Sequence, residues 1–295
     1  MDSNEIYEKA VTVTPNWLGH HDHLWTIPDT KSYVFYPYTI EEANEEKLNT
    51  AREFLQILIL KIIYDNGYFK NLTFTGGTAL RILYKTRRFS EVLDFSLTNK
   101  NHYQFESLVK TLQSNLEQSG FLLDMAARKV KTVGVLELRF RELLYPLGLS
   151  PLKNQKLMIK IEIDTNPPTG SKTELSLVSE MTFVFTVTHF DLPSLYATKL
   201  HACFYRKYAK GRDFYDLIWY LGKKVVPNFI VLNNAIRQTQ GKDLKINEGN
   251  LKEFLLNHLR KVDFKVAKRD VERFLIDKSE LRLFDAEIIE KIISK

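Results

Sequence analysis

The sequence predicts an α+β fold: a strand-rich α+β part over residues 1–190, N-terminal extension included, then a helical part over residues 191–295. Two observations carry this. Short runs with apolar residues at alternate positions recur as far as Val187. Beyond Asp191 the apolar spacing becomes helical and stays so to the C-terminus.

Residues 1–40 are rich in aromatics and turn formers and give few helix signals. Glu41–Tyr64 reads as a helix, with acidic residues suited to its N-terminus. A short buried strand, Leu72–Thr75, leads into a short helix, Gly77–Lys85, and a second strand, Val92–Leu97. His102–Ser119 is amphipathic and stops at Gly120. Strands follow at Phe121–Lys129, Val133–Arg141 and Lys156–Asp164. In the last, Ile159, Ile161 and Ile163 share one face while Lys160, Glu162 and Asp164 share the other. After a strand at Met181–Val187, Asp191 is an N-cap candidate with Pro193 in the first turn. Helices are expected over 192–207, 212–222, 227–239, 249–260, 264–276 and 285–293.

With 295 residues, 44% hydrophobic and 26% charged, the chain has the composition of an ordinary globular protein. The lone Cys203 excludes an intramolecular disulfide and suits a reducing compartment. MDSNEIYEKA has no secretory pattern, and the longest apolar run, near residue 58, is too short to span a bilayer. A cytoplasmic protein without membrane contact is expected. The net charge of +6 favours anionic partners such as nucleotides or RNA.

The chemistry concentrates in FTGGTALRILYKTRRFSEVLDFSL, residues 74–97. Gly76 and Gly77 after a strand let backbone approach a ligand closely, and the following helix start offers N–H groups to phosphate. Thr78 and Ser90 add hydroxyls, and Arg81, Arg87 and Arg88 add charge. An isolated Gly-Gly serves turn geometry more often than phosphate. In the second strand Val92, Asp94 and Ser96 point one way, and Glu91 and Leu93 the other. Magnesium-dependent nucleotidyl transfer uses carboxylates on one strand face, with another from a neighbouring strand. Asp94 is one such group, and Glu162 and Asp164 are candidates for the other.

Downstream, Lys199 is a candidate triphosphate contact, Asp213 begins the next helix, and Asp216 is a candidate partner for Arg212. Arg206, Lys207, Lys210 and Arg212, interleaved with Tyr205 and Tyr208, suit RNA by charge and stacking. Lys265, Lys268, Arg269 and Arg273 form a second basic helical stretch. Three histidines and an aspartate in GHHDHLW (19–25) match no standard zinc spacing. His201 and Cys203 read as packed helix residues.

The Gly-Gly block, together with IKIEIDTNPP and DLPSLYATKLHACFYRKYAKGRDFYDLIWYL, resembles the AbiEii/AbiGii toxin-type nucleotidyltransferases over residues 72–221. The resemblance implies a polymerase-β-like nucleotidyltransferase core followed by a helical domain. It also implies the toxin half of a type IV toxin–antitoxin or abortive-infection pair with a cognate antitoxin, a nucleoside triphosphate substrate, magnesium and a tRNA acceptor. Gly76 and Gly77 match the family's phosphate-binding glycines, and Lys199 and Asp213 match site residues. The family's metal motif reads SEDLDFS where this chain has SEVLDFS: Asp94 matches the second aspartate and Val92 replaces the first. Two functions follow as expectations, a magnesium-dependent nucleotidyltransferase or a catalytically silent nucleotide- and RNA-binding protein of the same fold.

Overall fold

The computed structural model describes residues 40–206 and 210–294. The GHHDHLW stretch, Lys207 and Tyr208 lie outside the described residues. Helix α1 (Ile40–Asp65) leads into β1 (Leu72–Thr75), α2 (Gly76–Tyr84), β2 (Val92–Leu97) and α3 (Phe105–Gln118). Five strands follow: β3 (Leu123–Val130), β4 (Val133–Phe140), β5 (Leu157–Asp164), β6 (Thr173–Glu180) and β7 (Phe183–Phe190). The helical part comprises α4 (Leu192–Tyr205), α5 (Gly211–Gly222), α6 (Phe229–Gln240), α7 (Glu248–Leu259), α8 (Phe264–Val271) and α9 (Ala286–Ser294). Asp191 caps α4, accepting from the Ser194 N–H at 2.9 Å, with proline in the first turn. Among the described residues no helix is long and apolar enough to cross a membrane.

The strands form one mixed sheet in the order β3-β4-β5-β2-β1-β7-β6. The central strand β2 pairs antiparallel with β1 and parallel with β5. The period of two sorts the side chains into two faces. Phe74, Leu93, Phe95, Leu136, Ile159, Ile161 and Ile163 are buried on one face, which joins Leu55, Ile59, Leu60 and Ile63 of α1 and Leu108 and Leu112 of α3 in one core. The other face carries Asp94 and Glu162, both half-buried, at the centre of the sheet.

Two elements depart from the sequence expectation. Strand β6 was not expected, because its periodicity runs against its burial. Leu175 and Leu177 of this edge strand are 68% and 65% exposed, whereas the inward-facing set is mostly Glu174, Ser176 and Glu180 beside the buried Val178. Pairing with β7 forms the strand, supported by the contact between Ser176 Oγ and His189 Nε2 at 2.8 Å. The helix expected over 264–276 ends at Val271, continues as a 3-10 turn and then pairs back onto the first half of the chain. Arg88 bridges Leu275, and the Phe89 N–H donates to the Phe274 carbonyl at 2.8 Å. The end of the helical part is thereby stitched to the segment between α2 and β2.

Candidate active site

The register of the sheet assembles the first part of the site. Asp94 lies opposite Thr75 on β1 and beside Glu162 on β5, while Asp164 lies beside Ser96 and Lys160 beside Val92. Glu162 is therefore the nearer carboxylate to Asp94. Asp164 sits two residues along and accepts the Asn166 N–H at 2.9 Å. Burial pushes the Asp94 carboxyl up to about 7, and the neighbouring Glu162 adds to this, while Lys199 and Arg206 pull the other way. Two carboxylates side by side at the centre of the sheet make a donor set suited to a cation. Among the described residues no group of three or more histidine, cysteine, aspartate or glutamate side chains converges as metal ligands. Lys160 pairs with Glu162, an association readable from their shared strand face but not anticipated as part of the site.

The two glycines act through what they lack. Gly76, at φ +78°, opens α2 directly against Asp94, and a β-carbon there would lie 2.8 Å from the carboxyl carbon. A β-carbon on Gly77 would lie 3.3 Å from Cζ of Arg88. Both positions thus admit a charged side chain of this chain against the start of the helix.

The second part of the site is a chain of alternating charges between α4 and α5. Arg88 is 1% exposed and grips Asp216 through Nε at 2.6 Å and Nη2 at 2.5 Å. The Lys199 ammonium lies 2.8 Å from both Asp216 and Asp213. Arg206 Nη1 closes the series on Asp213 Oδ2 at 2.8 Å. Burial opposes the charge on Lys199, but Asp213 and Asp216 outweigh it and hold the ammonium above the usual lysine range. Burial likewise opposes the Asp213 charge, and Lys199 and Arg206 hold its carboxyl below the usual range. Cys203 is buried in the same layer, its thiol donating to the Asp213 carbonyl at 3.3 Å.

These contacts revise several expectations. Arg88 does not face a phosphate site, because its guanidinium is buried on Asp216 and on the Phe89 carbonyl at 3.0 Å. Arg81 binds Glu53 through Nε at 2.6 Å and Nη2 at 3.1 Å and the Thr86 carbonyl through Nη1 at 2.8 Å, so its donors are also turned inward. The Thr78 hydroxyl is buried and donates to the Val92 carbonyl. Asp216 pairs with Arg88 and Lys199 rather than with Arg212. Arg212 instead binds Glu91 at 3.0 Å and stacks over Phe274 at 4.1 Å, which removes it from a free RNA-binding face. Ser90 is half-buried, and its carbonyl accepts from Gln56 Nε2 at 2.9 Å. Arg206 and Lys210 are exposed. Such pairings were hidden in the sequence because the partners lie up to 128 positions apart.

The fold resembles JHP933 from Helicobacter pylori, with 21% identity over 87% of this chain and 94% of that one and a TM-score of 0.46. It also resembles an H. pylori protein provisionally described as a nucleotidyltransferase, with 21% identity over 87% and 98% of the two chains and a TM-score of 0.47. A comparison with curated proteins gave no match. The sequence model of the family described as "Nucleotidyl transferase AbiEii toxin, Type IV TA system" matches residues 58–286, which spans every residue of the site. The chain belongs to this AbiEii family of nucleotidyltransferase toxins.

Proposed function

We propose that this nucleotidyltransferase moves a nucleotide from a nucleoside triphosphate to an RNA acceptor, the 3′ end of tRNA, with magnesium. The observation that carries the reading is the register pairing of Asp94 with Glu162 on the polar sheet face, beside the start of α2. Membership of a type IV toxin family implies a cognate antitoxin and a nucleotide substrate. The net charge of +6 and the exposed Arg206 and Lys210 support an anionic acceptor.

Asp94 and Glu162 suit one magnesium ion of the kind that takes one or two carboxylates and fills its shell with water and phosphate oxygens. Bound there, it supplies charge neutralisation on the triphosphate. In the transfer, the acceptor hydroxyl oxygen bonds to the α-phosphorus and its proton passes to water, while the bond from the α-phosphorus to the bridging oxygen breaks and pyrophosphate leaves. The chain's own part is positioning and electrostatics. Gly76 leaves room for Asp94 at the helix start, and Glu162 stands beside it. Lys199 is a positioning residue: it holds Asp213 and Asp216 and so fixes α4 against α5. Asp213 in turn holds Arg206 through Oδ2 at 2.8 Å.

A second reading has an observation of its own. Val92 stands where the family has its first aspartate, and no larger acidic cluster compensates among the described residues. That favours a silent protein that binds nucleotide or RNA without transfer. Incorporation of labelled nucleotide into total tRNA separates the two. The transferase reading expects incorporation that Asp94→Asn and Glu162→Gln each reduce at least tenfold and Asp164→Asn reduces less. Triphosphate binding without incorporation supports the silent reading.

A further inference from the structure

Strand β6 ends the sheet, and its outer edge is unshielded. It pairs with β7 along all 8 of its residues. Among the described residues no other backbone segment bonds to it. Native proteins blunt such an edge with lysine, proline, a bulge or a covering element, because its free N–H and C=O groups otherwise accept another strand. The β6 sequence TELSLVSE has no lysine and no proline, and its register with β7 runs without a bulge. It also presents Leu175 and Leu177 to solvent at 68% and 65% exposure, with Val184 of β7 exposed on the same face. Scattered exposed leucines are ordinary, but two on a free edge make an apolar strip beside a row of unpaired backbone groups.

The strand is complementary to itself. Antiparallel partners share a sheet face, so only registers that preserve residue parity keep the leucines of two copies together. With a two-fold axis at Ser176, Leu175 faces Leu177 of the second copy and Leu177 faces its Leu175. Thr173 then faces Ser179, and Glu174 faces Val178. Lys172, exposed just before the strand, faces Glu180, so unlike charges close both ends of the pair. Glu180 holds Lys85 within its own chain, and a carboxylate has acceptor sites for both lysines. Moving the axis to Leu177 sets Glu174 against Glu180 and Leu175 against Ser179. Moving it to Leu175 sets Leu177 against Thr173 and parts Lys172 from Glu180. The leucine pattern and the charge pattern therefore select the same register.

We propose that two copies of this chain associate through β6, pairing antiparallel about Ser176 and joining their seven-stranded sheets edge to edge. The interface is isologous, so each contact off the axis occurs twice. One strand with a strip of leucines covers less than the about 800 Å² per partner of a tight complex, so association is reversible and concentration-dependent. It stands apart from the transfer reading, since none of its residues belongs to the carboxylate pair or to the buried charge network.

The test is sedimentation equilibrium of the full chain over a micromolar-to-millimolar concentration series. The weight-average mass should rise from 34.5 kDa towards twice that value. Leu175→Lys/Leu177→Lys changes two exposed side chains, sets like charges opposite each other and should weaken association at least tenfold. Lys172→Glu, which opposes Glu180 with a like charge, should weaken it by roughly threefold or more. Under oxidation Ser176→Cys should give disulfide-linked dimers and Leu177→Cys should not, because only residues directly opposite reach disulfide geometry. The native Cys203 is buried and takes no part. A mass of 34.5 kDa across the series overturns the proposal, and protection of the β6 amides from hydrogen exchange in that monomer would assign the edge to another part of the same chain. Association unchanged by Leu175→Lys/Leu177→Lys also overturns it, since the copies then meet elsewhere. Linkage through Leu177→Cys with none through Ser176→Cys overturns the register.

Discussion

Replacing Asp216 by asparagine tests the buried charge network most severely. Asp216 is fully buried and receives three charged contacts, from Arg88 Nε at 2.6 Å, Arg88 Nη2 at 2.5 Å and Lys199 at 2.8 Å. Asparagine keeps the shape and removes the charge. Lys199 retains Asp213 at 2.8 Å, but Arg88, 1% exposed, loses its carboxylate and keeps as acceptors the neutral amide oxygen of the new asparagine and the Phe89 carbonyl. Breaking a buried ion pair from one side costs about 3–5 kcal/mol, because the surviving charge stays desolvated. At about 2–3 °C per kcal/mol for a chain of this size, the melting temperature should fall by roughly 6–15 °C. The assay is thermal unfolding followed by circular dichroism, with Arg88→Met, Asp216→Leu and the Arg88→Met/Asp216→Leu pair beside it as a double-mutant cycle. The pair should be far less destabilised than the sum of the single changes, since removing both charges removes the stranded one. A drop of less than about 2 °C in Asp216→Asn, or additive single effects, would refute the account of the network.

Gly76→Ala should cost about 1–2 kcal/mol from its φ of +78° alone and should also displace the Asp94 carboxyl; chemical denaturation and an incorporation assay check the two effects separately. Burial, with Arg206 nearby, depresses the proton affinity of His201, and burial, with Lys261 and Lys242 nearby, depresses that of His258. The unfolded chain therefore binds more protons just below the ordinary histidine value of 6.5, so stability should fall as pH drops through that value. Denaturant midpoints at pH 7.5 and pH 5.5 should show a smaller fall in His201→Asn/His258→Asn. Burial raises the Cys203 thiol well above its ordinary value, so the native protein should resist iodoacetamide at pH 8 and react on unfolding; rapid native labelling, read by mass spectrometry, would contradict its placement.

Much of the sheet was legible because its strands obey the period-two rule where one face is buried. KLMIKIEID declared both its core face and its polar face, and the register then placed Glu162 rather than Asp164 beside Asp94. Strand β6 was not legible, because its leucines face outward at an edge and local pairing, not burial, determines it. In the site, the glycines and Asp94 stood out through local spacing. The roles of Arg81, Arg88 and Arg212 did not, because Glu53, Asp216 and Glu91 are distant in sequence and only the fold brings these pairs together. A cationic residue in a motif does not reveal whether its charge is already neutralised.

The pairing of Asp94 with Glu162, and the valine at 92 beside Lys160, are tested most directly by one comparison. Incorporation of labelled nucleotides from all four triphosphates into total tRNA is measured with magnesium for the chain as it stands, Val92→Asp and Asp94→Asn. The account predicts weak transfer by the parent, at least tenfold more by Val92→Asp and none by Asp94→Asn. Equal transfer by all three proteins would contradict it, because neither position would then belong to the reacting centre.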